Sequence, residues 1–174
     1  AGIMAQKLGL PIEHFVAATN VNDTVPSYLI DGIYKPKPSK ATISNAMDVG
    51  NPSNFIRIQE LFNNNLELLK RSFSSYSFSD TETRATMKEI YTNTGYVAEP
   101  HGAVGYLGLK KHGLKEDEYG VFLETAHPVK FLDVVEKTLP IQVKIPEQIQ
   151  KVINNKKVAV QIADYVDLKS FLLK

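Results

Sequence analysis

Tyr96-Val97-Ala98-Glu99-Pro100-His101-Gly102-Ala103-Val104-Gly105-Tyr106-Leu107-Gly108-Leu109-Lys110-Lys111-His112-Gly113 passes from an apolar run, through a polar turn, into a helical stretch stopped by glycine. A second unit of the same design follows. Tyr119 to Glu124 reads as a strand, and Phe131 to Leu139 as a helix ended by Pro140. Strand and helix in alternation predict a three-layer α/β fold, a mostly parallel sheet with helices on both faces.

The pattern extends upstream. Ile3, Met4 and Leu8 mark one face of a helix that Gly9 and Pro11 end. It has no N-cap residue ahead of it, which is expected of a frayed end or of a chain cut inside a larger fold. Glu13 to Asn20 reads as a buried strand, and Asn22-Asp23-Thr24 as the start of a helix carrying Val25, Tyr28 and Leu29. Pro36 and Pro38 make 32–40 a loop, and 41–45 suggests another short strand. Asn51 and Pro52 predict a helix start. Phe55, Ile58, Phe62, Leu66 and Leu69 form one helical stripe, which a Ser-rich stretch over 72–79 breaks. Ser79 and Glu82 make a capping box for a helix that Gly95 stops. Towards the end, 149–153 suggests a helix, 158–160 a strand, and Tyr165 to Lys174 a final helix capped by Asp164. No linker divides the chain, so 1–174 is read as one domain.

Composition narrows the function. Of 174 residues, 20 are Lys or Arg and 19 Asp or Glu, so no charge excess points to nucleic acid or an anionic membrane. No cysteine is present, which removes disulfides, thiolate metal sites and cysteine nucleophiles. No apolar run approaches the roughly 18 residues of a membrane span, and no signal peptide is recognisable. A cytoplasmic location is expected.

Three polar clusters fall where strands end, the edge at which open α/β sheets bind ligands. Glu99 to Gly105 joins small residues to a helix N-terminus whose amides can meet an anion; an ordinary tight turn has the same pattern. Glu124-Thr125-Ala126-His127-Pro128 offers a hydroxyl and an imidazole, the latter a candidate base or a ring bonded to backbone. The two Glu–His pairs lack the compact spacing of a metal motif, and no metal site is assigned. Ser44 to Asn54, with Arg57 one turn on, gathers short hydrogen-bonding side chains suited to a phosphate or carboxylate. A loop that satisfies its own backbone is the alternative.

At these clusters the sequence resembles a known family. Thr42-Ile43-Ser44-Asn45-Ala46-Met47-Asp48-Val49-Gly50-Asn51-Pro52-Ser53-Asn54-Phe55, Pro100 to Tyr106 and Leu123 to Phe131 are similar to signature segments of threonine synthase. The likeness is ordered and collinear over 1–57 and 94–131, and elsewhere holds only in pattern. It implies the fold of the pyridoxal-phosphate enzymes grouped with tryptophan synthase β (fold type II). It also implies conversion of O-phospho-L-homoserine and water to L-threonine and phosphate, with pyridoxal 5'-phosphate as cofactor.

Carried over by residue, Thr125 is expected to hydrogen-bond the pyridine nitrogen. Ser44, Asn45, Asp48, Asn51, Ser53, Asn54 and Arg57 are expected near the substrate's carboxylate or phosphate. Glu99, His101 and His127 are expected to support them. The family's Schiff-base lysine and its cofactor-phosphate loop lie ahead of the part matched here. Lys7, Lys40, Lys110 and Lys130 do not stand in that context, so no catalytic residue is assigned. This chain alone is expected to be inactive, and to self-associate through apolar surface it cannot bury. A related pyridoxal-phosphate lyase or dehydratase, and a ligand-binding α/β module without chemistry, are the competing readings.

Overall fold

Two buried-facing strands of this chain pair directly. In the computed structural model, which describes all of residues 1–174, β1 (Phe15–Thr19) lies parallel to β2 (Phe73–Ser77), with Phe15 opposite Phe73 and Thr19 opposite Ser77. Before β1 comes helix α1 (Gly2–Lys7). The crossover to β2 carries α2 (Thr24–Asp31), a 3₁₀ turn at Asn45–Met47, α3 (Phe55–Leu61) and α4 (Leu66–Lys70). Then follow α5 (Asp80–Thr94), α6 (Pro100–His112), a 3₁₀ turn at Pro128–Phe131 and α7 (Leu132–Thr138). Two short helices end the chain, α8 (Glu147–Gln150) and α9 (Tyr165–Leu172). Contacts divide it into two units, 1–143 and 144–174.

Helices cover both faces of the sheet, as the alternation predicts. Phe15 and Ala17 point into a core of Ile3, Tyr28, Leu29, Phe55, Phe62, Leu69 and Phe73, supplied by α1 to α4. Val16 and Ala18 point the other way, under α6. A Cβ on Gly108 would stand 2.8 Å from Ala18 Cβ, so this glycine lets the helix lie directly on the strand. A second core joins α5, α6 and α7 through Met87, Ala103, Phe131, Val134, Val135 and Leu139.

Several local expectations change. The stripe from Phe55 to Leu69 does face one core, but the helix is not continuous. Asn63 and Asn64 adopt left-handed backbone (φ 54° each), and Asn65 then caps α4 by accepting from the Leu68 amide. Asn51-Pro52 forms a turn ahead of α3, whose N-cap is Asn54. The Ser-rich stretch contains β2 itself: serine hydroxyls there bond to sheet carbonyls, as Ser75 Oγ does to Ala17 O at 2.7 Å.

Residues 41–45, 96–99, 119–124 and 158–160 belong to no strand, because no neighbouring strand of this chain takes up their backbone groups. The 119–124 segment is nonetheless extended along α6. Gly120 and Phe122 pack against it, while Tyr119, Val121 and Leu123 face outward.

Unit 144–174 has no buried residue in either helix. Asp164 caps α9 as the sequence predicts, accepting from the Asp167 amide at 2.9 Å. No helix is long and apolar enough to cross a membrane.

Candidate active site

The polar clusters meet at the first turn of α6. Glu99 is the N-cap, fully buried, and its carboxylate accepts from the amides of His101 (3.0 Å) and Gly102 (2.9 Å). It also pairs with His101 Nδ1. Burial alone would raise its pKa, but the donors from His101 and Gly102 outweigh burial and hold it below the ordinary carboxylate value. The helix N-terminus is therefore already occupied by an internal anion. The sequence-based idea that these amides await a ligand anion is corrected, because the preceding glutamate takes them.

His101 connects this turn to the loop before α3. Its Nε2 accepts from the Ala46 amide at 3.1 Å, which leaves the ring proton on Nδ1, facing Glu99. The imidazole packs on Phe131 with ring centroids 4.7 Å apart. Glu124, from the Glu124–Pro128 cluster, closes the group. Its carboxyl lies where a Cβ of residue 102 would stand, so a larger residue there would displace the Glu124 carboxyl. Glu124 Oε1 is buried without a hydrogen-bond partner. Burial first, then the charge of Glu99, push its pKa up to about 7, against a smaller opposing effect of His101.

The Ser44–Asn54 loop is held by a network that sequence reasoning did not identify. Asn20, buried at the end of β1, donates to Thr42 Oγ1 and Asp48 Oδ1, both at 2.8 Å. Asn20 Oδ1 accepts from the Asn22 amide and side chain. Asp48 accepts also from the Thr42 hydroxyl (2.8 Å) and amide (3.0 Å). Ser44 is wholly buried, with its hydroxyl 3.2 Å from that of Thr42. Asp48 and Ser44 thus spend their hydrogen-bonding capacity inside the chain. Asn20 could have been suspected from its place at a strand's carboxyl end.

Asn45, Asn51, Ser53, Asn54 and Arg57 are exposed on the same loop and turn. Asn51 Oδ1 accepts from the Tyr34 hydroxyl at 3.0 Å, which leaves its amide group outward. Thr125 is exposed immediately after Glu124. Its neighbour Ala126 and Ile43, next to Ser44, both pack against the α5–α6–α7 core. Thr125 and the polar loop are therefore anchored on one core and joined through Glu124, Gly102, His101 and Ala46. His127 stands apart in role: its Nδ1 accepts from the Val129 amide at 3.1 Å, capping the 3₁₀ turn. The backbone-bonded alternative describes it.

Residues 102–172 match the family model described as threonine synthase, C-terminal. Threonine synthase from Buchnera aphidicola of Acyrthosiphon pisum is 45% identical over all of this chain and 40% of its own length. That of Haemophilus influenzae is 46% identical, with the same coverage. The chain matches the C-terminal part of threonine synthases. The crystal structure of the Escherichia coli threonine synthase superposes with a TM-score of 0.86 and 41% identity, over 99% of this chain and 40% of that one. A threonine synthase from Brucella melitensis, solved with PLP bound, gives 0.80 at 27% identity over 90% of this chain. The threonine synthase fold accounts for the α/β layering, and this chain spans about 40% of the length of the relatives it matches.

Proposed function

We propose that residues 1–174 are the C-terminal portion of the catalytic domain of a threonine synthase. In the full-length protein it converts O-phospho-L-homoserine and water to L-threonine and phosphate, in a soluble, cytoplasmic pathway of threonine biosynthesis. The observation that carries this reading is the collinear match over the whole chain, with one backbone shared at a TM-score of 0.86.

The residues present suit pyridoxal 5'-phosphate at its ring nitrogen. Thr125 is exposed beside a half-buried carboxyl seated on Gly102, and its hydroxyl can donate to or accept from a pyridine nitrogen. When bound, the cofactor supplies an electron sink for the carbanionic steps at Cα and Cβ, and the protein supplies orientation and electrostatics. Arg57 offers a planar fork to the substrate's carboxylate or phosphate, with Asn45, Asn51, Ser53 and Asn54 as neutral donors around it. Asp48 and Ser44 hold the loop that presents them, and Glu99 with His101 ties that loop to α6. The lysine that carries the cofactor is assigned to the remaining part of the protein.

The deciding experiment is phosphate release by the full-length protein, with O-phosphohomoserine compared with serine and threonine. Release from O-phosphohomoserine, without deamination of the other two, is the expected result. Deamination of serine or threonine with no phosphate released would make it a dehydratase instead.

A further inference from the structure

We infer that Glu124 is a positioning residue: its carboxyl, seated on the bare Cα of Gly102, fixes where Thr125 stands relative to the first turn of α6 and the Ser44–Asn54 loop. The inference rests on the reading of Thr125 as the partner of the cofactor ring.

The geometry has three parts. Gly102 leaves a hollow that the Glu124 carboxyl fills, so the segment ending at Thr125 is registered against α6 by shape. Gly102 also donates its amide to Glu99, and the next residue back, His101, accepts from Ala46. Adjacent residues thus carry the anchor of residues 124–125, at Gly102, and the link towards the candidate substrate loop, at His101. Finally, Glu124 Oε1 is buried with no partner in the chain. A carboxylate left in that state is costly, whereas a neutral carboxylic acid tolerates it.

Charge decides which form is seated. The titratable groups facing Glu124 are Glu99 and His101 at the start of α6 and Tyr96 just before it. Glu99 is held as the anion by three donors, and His101 has its proton turned towards Glu99 rather than Glu124. Tyr96 has its own pKa raised by burial and by both glutamates, so it brings no positive charge. Two carboxylates side by side disfavour double ionisation, and Glu124 is the one that keeps the proton. Its ionisation, near pH 7, pushes the carboxyl away from Glu99 and loosens the seat of Thr125. The folded-state pKa lies above the ordinary carboxylate value. The stability it contributes is therefore complete below that ordinary value and is lost as pH rises through about 7.

The test compares wild type, Glu124→Gln and Glu124→Ala in the full-length protein. Glutamine reproduces the shape of the neutral acid and cannot ionise. In cofactor-free protein, the unfolding midpoint of wild type should fall relative to that of Glu124→Gln between pH 5.5 and 8. A difference that stays constant across this range overturns the seating of a protonated Glu124. At pH 6, Glu124→Gln should bind pyridoxal phosphate as wild type does, while Glu124→Ala should bind about tenfold more weakly, the loss of one hydrogen bond from Thr125. Equal affinity of the alanine variant and wild type overturns the positioning role. Thr125→Val separates the two readings. If it binds and turns over normally, the assignment of Thr125 fails, while the pH-dependent difference in unfolding still judges Glu124.

Discussion

Asn20 ties the candidate substrate loop to the end of β1 from a position that the sequence motifs do not single out. It is buried at the end of β1 and supplies a donor to each of Thr42 and Asp48, two residues of the candidate substrate loop. Half-buried Asp48 takes donors on both oxygens, Oδ1 from Asn20, Asn22 and the Thr42 hydroxyl, Oδ2 from the Thr42 amide. Asn20→Ala should destabilise the fold by about 3 kcal/mol in urea unfolding, because it removes buried donors to Thr42 and Asp48 and the acceptor of the Asn22 amide. Asn20→Asp should cost more, since it keeps the shape but turns an acceptor towards Asp48. Equal stability of the two variants would mean that Asp48 finds its donors elsewhere. For activity, both variants should raise the KM for substrate more than they disturb cofactor binding, because the loop rather than Thr125 is displaced.

Two elements show where physical reasoning from sequence succeeds and fails. Helix α5 is bounded by local signals alone. Ser79 Oγ accepts from the Glu82 amide, Glu82 returns a bond to the Ser79 amide at 2.8 Å, and Gly95 ends the helix in left-handed backbone (φ 72°). Ser79→Ala should cost about 1 kcal/mol by urea unfolding, the usual value of a lost N-cap.

Strand β1 shows a second effect at its leading edge. His14 stacks on His112 with ring centroids 4.5 Å apart, and Ser74 Oγ lies 2.8 Å from His14 Nε2. Burial first and His112 second hold the His14 pKa below its ordinary value, against a smaller opposite pull from Glu118. The native state thus binds fewer protons at His14 than the unfolded chain. That stability is complete above the ordinary histidine value, and is lost as pH falls through the lower folded value. Replacement His14→Phe keeps a ring and removes the titration, so its unfolding midpoint should fall less than that of wild type between pH 7.5 and 5.5. Parallel curves would show that the stack carries no linkage. The capping box, Asp164, Gly95 and the core stripe were legible because each is written in a few adjacent residues. Strand membership was not. It depends on a partner far along the chain, so the Ser-rich β2 was hidden, while 119–124, with a strand's alternation, stands unpaired. The site was legible as three polar clusters. Its internal network was not, because Asn20 lies 28 residues from Asp48 in sequence yet 2.8 Å from it in space.

At the scale of the whole molecule, the unpaired segment 119–124 leaves an apolar stripe open to solvent. Its inner residues rest on α6, but Tyr119 is 98% exposed, Val121 79% and Leu123 76%. Alternate exposed apolar side chains on extended backbone, with free N–H and C=O groups along both edges, make a template for another strand. The chain spans about 40% of the length of its relatives, and it offers only two paired strands of its own. We propose that the isolated 174-residue chain associates with a second copy through this segment, since like sequences satisfy each other's edges and bury the same apolar stripe. Sedimentation velocity over a wide concentration range should then show a concentration-dependent rise in mass. The double variant Val121→Thr, Leu123→Thr should shift the equilibrium towards monomer and leave the α5–α6–α7 core untouched, because both side chains point away from α6. Strictly monomeric behaviour of the unaltered chain at all concentrations would show that the stripe does not self-pair. Association that the double variant leaves unchanged would move the contact to other exposed apolar residues, such as Val166 and Leu172 of α9.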